Sequence, residues 1–73
     1  MAAISYDITE DYIELCQLLK TTGLCKSGGE AKYVISEGLV SVNGLVETRK
    51  KCKIRGKQTI TYNGETILTQ QER

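Results

Sequence analysis

The sequence predicts an α+β domain: two helices followed by a small, mainly antiparallel sheet, with a possible N-terminal strand ahead of the helices. Three observations carry this. Two stretches in the first half place apolar residues at helical spacing, and each stops at a glycine, Gly23 or Gly38. Two Asn-Gly pairs, Asn43-Gly44 and Asn63-Gly64, lie in the second half between alternating runs and are the strongest short hairpin signal a chain can carry. A length of 73 residues suits one small domain with a single thin core, burying about 60% of the surface its unfolded form exposes.

Taken in order, Ala3-Ile4-Ser5-Tyr6-Asp7-Ile8 alternates in period two and reads as a short strand or an ordered lead-in. Thr9 is placed to cap the first helix, with Glu10 and Asp11 in an opening turn where carboxylates suit the positive end of the helix dipole. Tyr12, Leu15, Cys16 and Leu19 then form one apolar stripe, and Gly23 ends the helix. Ser27 and Glu30 have the spacing of a capping box, which opens a second helix over about 28–37 with Ala31, Val34 and Ile35 as its core face. Gly28 and Gly29 cost this helix roughly 1 kcal/mol each against Ala, yet they leave the backbone bare where a helix N-terminus can receive a phosphate. Lys26 and Lys32 flank that opening.

On the outward side of the second helix lie Gly29, Lys32, Tyr33 and Ser36. Tyr33 has two readings: half-buried against a neighbouring strand, or in stacking or phosphate contact with a nucleic acid. Val40-Ser41-Val42, Gln58-Thr59-Ile60-Thr61-Tyr62 and Glu65-Thr66-Ile67-Leu68 read as strands around the two Asn-Gly turns. If residues 50–55 are extended, Lys51, Lys53 and Arg55 share one face while Cys52 and Ile54 anchor the other. Residues 69–73 read as a frayed end.

The net charge is only +1, but it is unevenly spread. Residues 1–14 hold four acids and no base, whereas residues 20–57 hold nine bases against Glu30, Glu37 and Glu47. Such polarity suggests one face for a polyanion and another turned away from it. Arg49, Lys50, Lys51, Lys53, Arg55 and Lys57 put six cations into nine residues. A run of this kind is either a solvated face or a phosphate-binding one. Lys26, Ser27, Gly28, Gly29, Lys32 and Tyr33 join it as the candidate nucleic-acid face.

Other classes of function fare worse. There is no His, so a general base at neutral pH would have to be a perturbed carboxylate or thiol. Three cysteines at wide spacing suit neither a disulfide scaffold nor a zinc site. Cys16 and Cys52 read as small core hydrophobes, and Cys25, beside Lys26 and ahead of a helix, is the one thiol placed for a lowered pKa. No apolar run approaches the ~18 residues of a membrane span, and the N-terminus lacks the basic region of a signal peptide. The cytoplasm is the expected location, with no membrane, cofactor, metal or small-molecule substrate.

The residues Leu19, Gly23-Leu24, Ser27, Ala31, Ile35, Gly38, Val40, Val42-Asn43-Gly44, Ile54, Gly56 and Ile60 together resemble the RNA-binding domain named for ribosomal small-subunit protein four, the αL motif, in its small stand-alone bacterial branch. The resemblance covers roughly residues 12–62 within a single RNA-binding domain of residues 1–73. It implies a compact, non-enzymatic module that docks on structured RNA, ribosomal or transfer, through its second helix and the adjoining loop and hairpin. It places the RNA face on Lys26, Ser27, Gly28 and Lys32 and around residues 49–51. Many members have Arg after the serine, where this chain has Gly28 and so lacks one phosphate contact. The alternative is a protein-interaction adaptor that turns the same basic face to an acidic partner.

Overall fold

The elements follow one another as β1 (Ala3–Ile8), β2 (Ile13–Glu14), α1 (Leu15–Thr21), α2 (Gly28–Ser36), β3 (Val40–Val42), β4 (Leu45–Val46), β5 (Lys53–Ile54), β6 (Thr59–Tyr62) and β7 (Glu65–Gln71) in the computed structural model, which describes residues 3–71. Five strands form one sheet in the order β1-β7-β6-β3-β4, and β2 pairs with β5 in a separate antiparallel ribbon. Within the large sheet only β1 and β7 run parallel, with Ile4 beside Ile67. The fold class is the expected α+β arrangement, and the N-terminal strand is real.

Both Asn-Gly turns form as read. Asn43 and Gly44 have φ of 54° and 86°, and Asn63 and Gly64 have 54° and 79°, the paired positive values of the tight hairpin turn that matches strand twist. Asn43 does more than turn the chain. Its backbone N–H donates to the Thr59 carbonyl at 2.7 Å and its Oδ1 accepts from the Thr59 N–H at 2.9 Å, which fixes the β3–β6 register.

The core is aliphatic. Leu15, Leu18 and Leu19 of α1 and Ala31 and Ile35 of α2 pack with Val40, Ile54, Ile60 and Ile67 from the strands, all fully buried. Helix α2 closes in a Schellman motif: the Gly38 N–H reaches the Ile35 carbonyl at 3.0 Å and the Leu39 N–H the Val34 carbonyl at 3.1 Å, with Gly38 at φ 78°.

Four expectations are corrected. The first helix does not start at Thr9. Residues 9–12 form no helix, Ile13 and Glu14 pair with Ile54 and Lys53, and α1 begins at Leu15 with no side-chain cap. Its first amides are satisfied from far along the chain instead, Leu15 N–H by the Cys52 carbonyl at 2.8 Å and Cys16 N–H by the Lys50 carbonyl at 3.2 Å. Tyr12 therefore leaves the helical stripe, and Leu18 joins the buried set.

Residues 69–71 are not frayed. They continue β7 alongside β1, and the buried Thr69 hydroxyl accepts from the Gln58 N–H at 3.0 Å and donates to the Gly56 carbonyl at 2.9 Å. Gln71 accepts from the Gly56 N–H at 2.9 Å and donates to the Glu10 carbonyl. Glu72 and Arg73 lie outside the described residues.

The third correction concerns charge. The acidic segment is not turned wholly away from the basic run, because Glu14 sits directly across from Lys53 in the β2–β5 ribbon. The fourth concerns Cys25. Its amide folds back onto the Leu19 carbonyl at 3.1 Å and the side chain is buried, so burial first and the Glu30 carboxylate second push the thiol pKa up rather than down.

Candidate nucleic-acid interface

Helix α2 starts with the Ser27 half of the expected capping box, while the Glu30 carboxylate reaches one residue further back than the N-cap amide. Ser27 is extended at the N-cap, its Oγ accepts from the Glu30 N–H at 3.1 Å, and Glu30 Oε1 accepts from the Lys26 N–H at 2.9 Å. These bonds leave the amides of Gly28 and Gly29 without an acceptor among the described residues. Neither glycine has a positive φ, and nothing lies within 4 Å of where a Gly28 Cβ would stand. The turn is thus bare by composition and not by backbone necessity. The Glu30 carboxylate already shares this end of the helix, so the amides are a weak anion site without the lysines beside them.

Lys26 and Lys32 are exposed, and so is Tyr33, at 62%. The reading of Tyr33 as half-buried against a strand is therefore overturned, and its ring is free to receive a stacked base.

The basic run is held in three different ways. Arg49 closes onto Glu47: Nε donates to Oε2 at 2.9 Å, Nη2 to Oε1 at 3.0 Å, and the Arg49 backbone N–H to Oε2 at 2.9 Å. Those hydrogen bonds draw the Glu47 carboxyl down to about 2, well below the usual carboxylate range. Lys50 and Lys51 occupy an exposed turn whose flanking carbonyls cap α1. Lys53 and Arg55 lie over the Tyr12 ring, Nζ at 5.0 Å and Cζ at 5.8 Å from its centroid. Tyr12 as a support for two cations was not foreseen. Its assignment to a helical stripe hid it.

The expected alternation is observed: Lys51, Lys53 and Arg55 are exposed, Ile54 is fully buried and Cys52 is partly buried against the core. Burial first and the Glu47 charge second raise the Cys52 pKa. Among the described residues, Arg49 is the one cation within salt-bridge distance of a carboxylate. Lys26, Lys32, Lys50, Lys51, Lys53, Arg55 and Lys57 are exposed without such a partner there.

Residues 6–70 match the family model described as the S4 domain. The chain belongs to the S4 domain family. The match extends beyond residues 12–62, taking in the second half of β1 and nearly all of β7. Among curated proteins, YbcJ of Escherichia coli (strain K12), named as a candidate RNA-binding protein, is 50% identical over 56 residues, covering 77% of this chain and 80% of that protein. YbcJ of Shigella flexneri, described as uncharacterized, matches to the same extent. The solution structure of Escherichia coli YbcJ, described as revealing an αL motif involved in RNA binding, superposes with a TM-score of 0.74 at 39% identity, covering 96% of this chain and 90% of that one.

Proposed function

We propose that residues 1–73 act as one non-catalytic module that docks on structured RNA, of the ribosomal or transfer class, in the cytoplasm. One side of the face is Lys26, Ser27, Gly28, Gly29, Lys32 and Tyr33. The other is the run of residues 49–57, in which Lys50, Lys51, Lys53, Arg55 and Lys57 supply charge and Arg49 lies paired with Glu47.

The observation that carries this reading is the set of exposed cations lacking carboxylate partners among the described residues, in a chain whose overall charge is close to neutral. Surface lysines ordinarily mix with acids; here the two signs are sorted along the chain. Membership in the S4 domain family, and the description of the YbcJ structure's motif as involved in RNA binding, support the same reading.

Lysines and arginines bind phosphate by charge and release counterions, so affinity falls steeply with salt. Tyr33 adds a stacking surface, while shape and backbone contacts dominate recognition of structured RNA. An electrophoretic shift with unfractionated transfer RNA and with a ribosomal stem-loop, at about 50 and about 200 mM salt, tests the proposal. Binding at low salt that collapses at high salt, and is weakened more than roughly tenfold by Lys50→Glu with Lys51→Glu, is expected. No binding at low salt, or no effect of the double variant, would overturn it.

A further inference from the structure

The pair of Glu47 and Arg49 is unusual on a surface built to attract polyanions, because its net charge is zero. Glu47 is anchored at both ends: its backbone N–H donates to the Val40 carbonyl of β3 at 2.9 Å, and its carboxylate takes three N–H groups of Arg49. The Glu47 side chain is 16% exposed while that of Arg49 is 76% exposed, so the guanidinium lies over the carboxylate as a cover. The Nη2 also reaches Cys52 Sγ at 3.8 Å. Two of the three guanidinium nitrogens thus face inward, onto the loop itself.

The backbone continues the same construction. The Arg49 carbonyl accepts from the Cys52 N–H at 3.2 Å, closing the turn that holds Lys50 and Lys51. The carbonyls of Lys50 and Cys52 then cap the first amides of α1. Adjacent cations at positions 49–51 would repel one another and splay a loose loop, and the carboxylate of Glu47 offsets that repulsion.

We propose that Glu47 and Arg49 form a positioning clasp for the lysine turn, so that Glu47, an acid at the margin of the cationic face, promotes RNA binding, and Arg49 acts without touching phosphate. The inference rests on the RNA-binding reading above and assigns a role within it. A loop ordered before binding spends less conformational entropy on forming the complex. The clasp therefore acts on affinity through geometry, and its removal changes no charge that contacts RNA.

The test sets geometry against charge. Glu47→Gln makes the face more positive; simple electrostatics predicts tighter binding, and the clasp predicts weaker. Arg49→Lys keeps the charge but loses the planar fork. A phosphate contact would survive that change, and a clasp would not. With fluorescein-labelled transfer RNA as the probe, each variant is expected to bind roughly fivefold more weakly with an unchanged slope of log affinity against log salt. In the free protein, amide exchange followed by NMR should quicken at Leu15 and Cys16 in both variants while that of Ala31 in α2 stays the same, which separates a loosened loop from general unfolding.

Tighter binding by Glu47→Gln, wild-type binding by Arg49→Lys, or unaltered exchange at Leu15 and Cys16 would each overturn the clasp while leaving the RNA reading intact. Failure of the wild-type chain to bind RNA overturns that reading and the clasp's role in affinity together.

Discussion

Replacing Gly28 by Arg should turn a bare helix start into a phosphate contact without unfolding anything. The site is open: an added Cβ meets no atom within 4 Å, and φ is not in the left-handed region. Two opposing terms set the stability change. Replacing a helical glycine contributes about 0.4–1 kcal/mol, and a cation in the first turn, against the positive end of the helix dipole, costs about 0.3–1 kcal/mol. They nearly cancel, so thermal unfolding should move little. Gly28→Ala keeps only the first term and should raise Tm by roughly 2–8 °C. Binding separates the two variants. One more phosphate contact steepens the dependence of log affinity on log salt by about 0.7–0.9, so the advantage of Gly28→Arg at about 50 mM salt should shrink roughly threefold by about 200 mM. Fluorescence anisotropy with labelled transfer RNA across that range reads the slope. A Gly28→Arg protein with wild-type stability and a wild-type slope would show that the start of α2 does not lie against the RNA backbone.

Three further outcomes follow from the fold. Thr69→Val removes the hydroxyl that serves both Gln58 N–H and the Gly56 carbonyl in a buried site, and should cost about 1–3 kcal/mol by urea unfolding; a change under about 0.5 kcal/mol would mean the bridge is not formed. Glu47 is drawn from an ordinary carboxylate value of 4.5 to about 2, so its pairing stabilises the fold above pH 4.5 and that contribution fades as pH falls toward 2. Acid unfolding of Glu47→Gln should accordingly show a shallower loss across that window, and an unchanged acid limb would refute the pairing. Cys25 is buried and its pKa is raised, so at neutral pH it should resist iodoacetamide in the native protein and react once urea unfolds it; rapid native labelling identified by peptide mapping would contradict the burial.

Much of the fold was legible because its signals are local. Ser27 and Glu30 cap each other's turn within four residues, Asn43-Gly44 and Asn63-Gly64 need only their own positive φ, and Ala31, Val34 and Ile35 declare a buried face by spacing alone. What escaped depends on distant partners. The start of α1 is set by the carbonyls of Lys50 and Cys52 and by the Ile13 and Ile54 pairing, none of which residues 9–15 announce; the acidic pair after Thr9 mimics a helix opening that the β2–β5 ribbon overrides. Residues 69–71 look polar and frayed because β1, their partner, lies at the other end of the chain. The candidate site was legible as a set of cations. Its division was not: Arg49 is bound to Glu47, while Lys53 and Arg55 rest on Tyr12.

The most direct measurement is the map of backbone amide shifts when the isotope-labelled protein is titrated with a structured RNA. Changes concentrated at residues 26–33 and 49–57, with the outer sheet positions Ser5, Thr61 and Leu68 unmoved, are the predicted result. Changes centred on the sheet, with Lys50 and Lys51 silent, would contradict the placement of the RNA on the α2 and lysine-loop face.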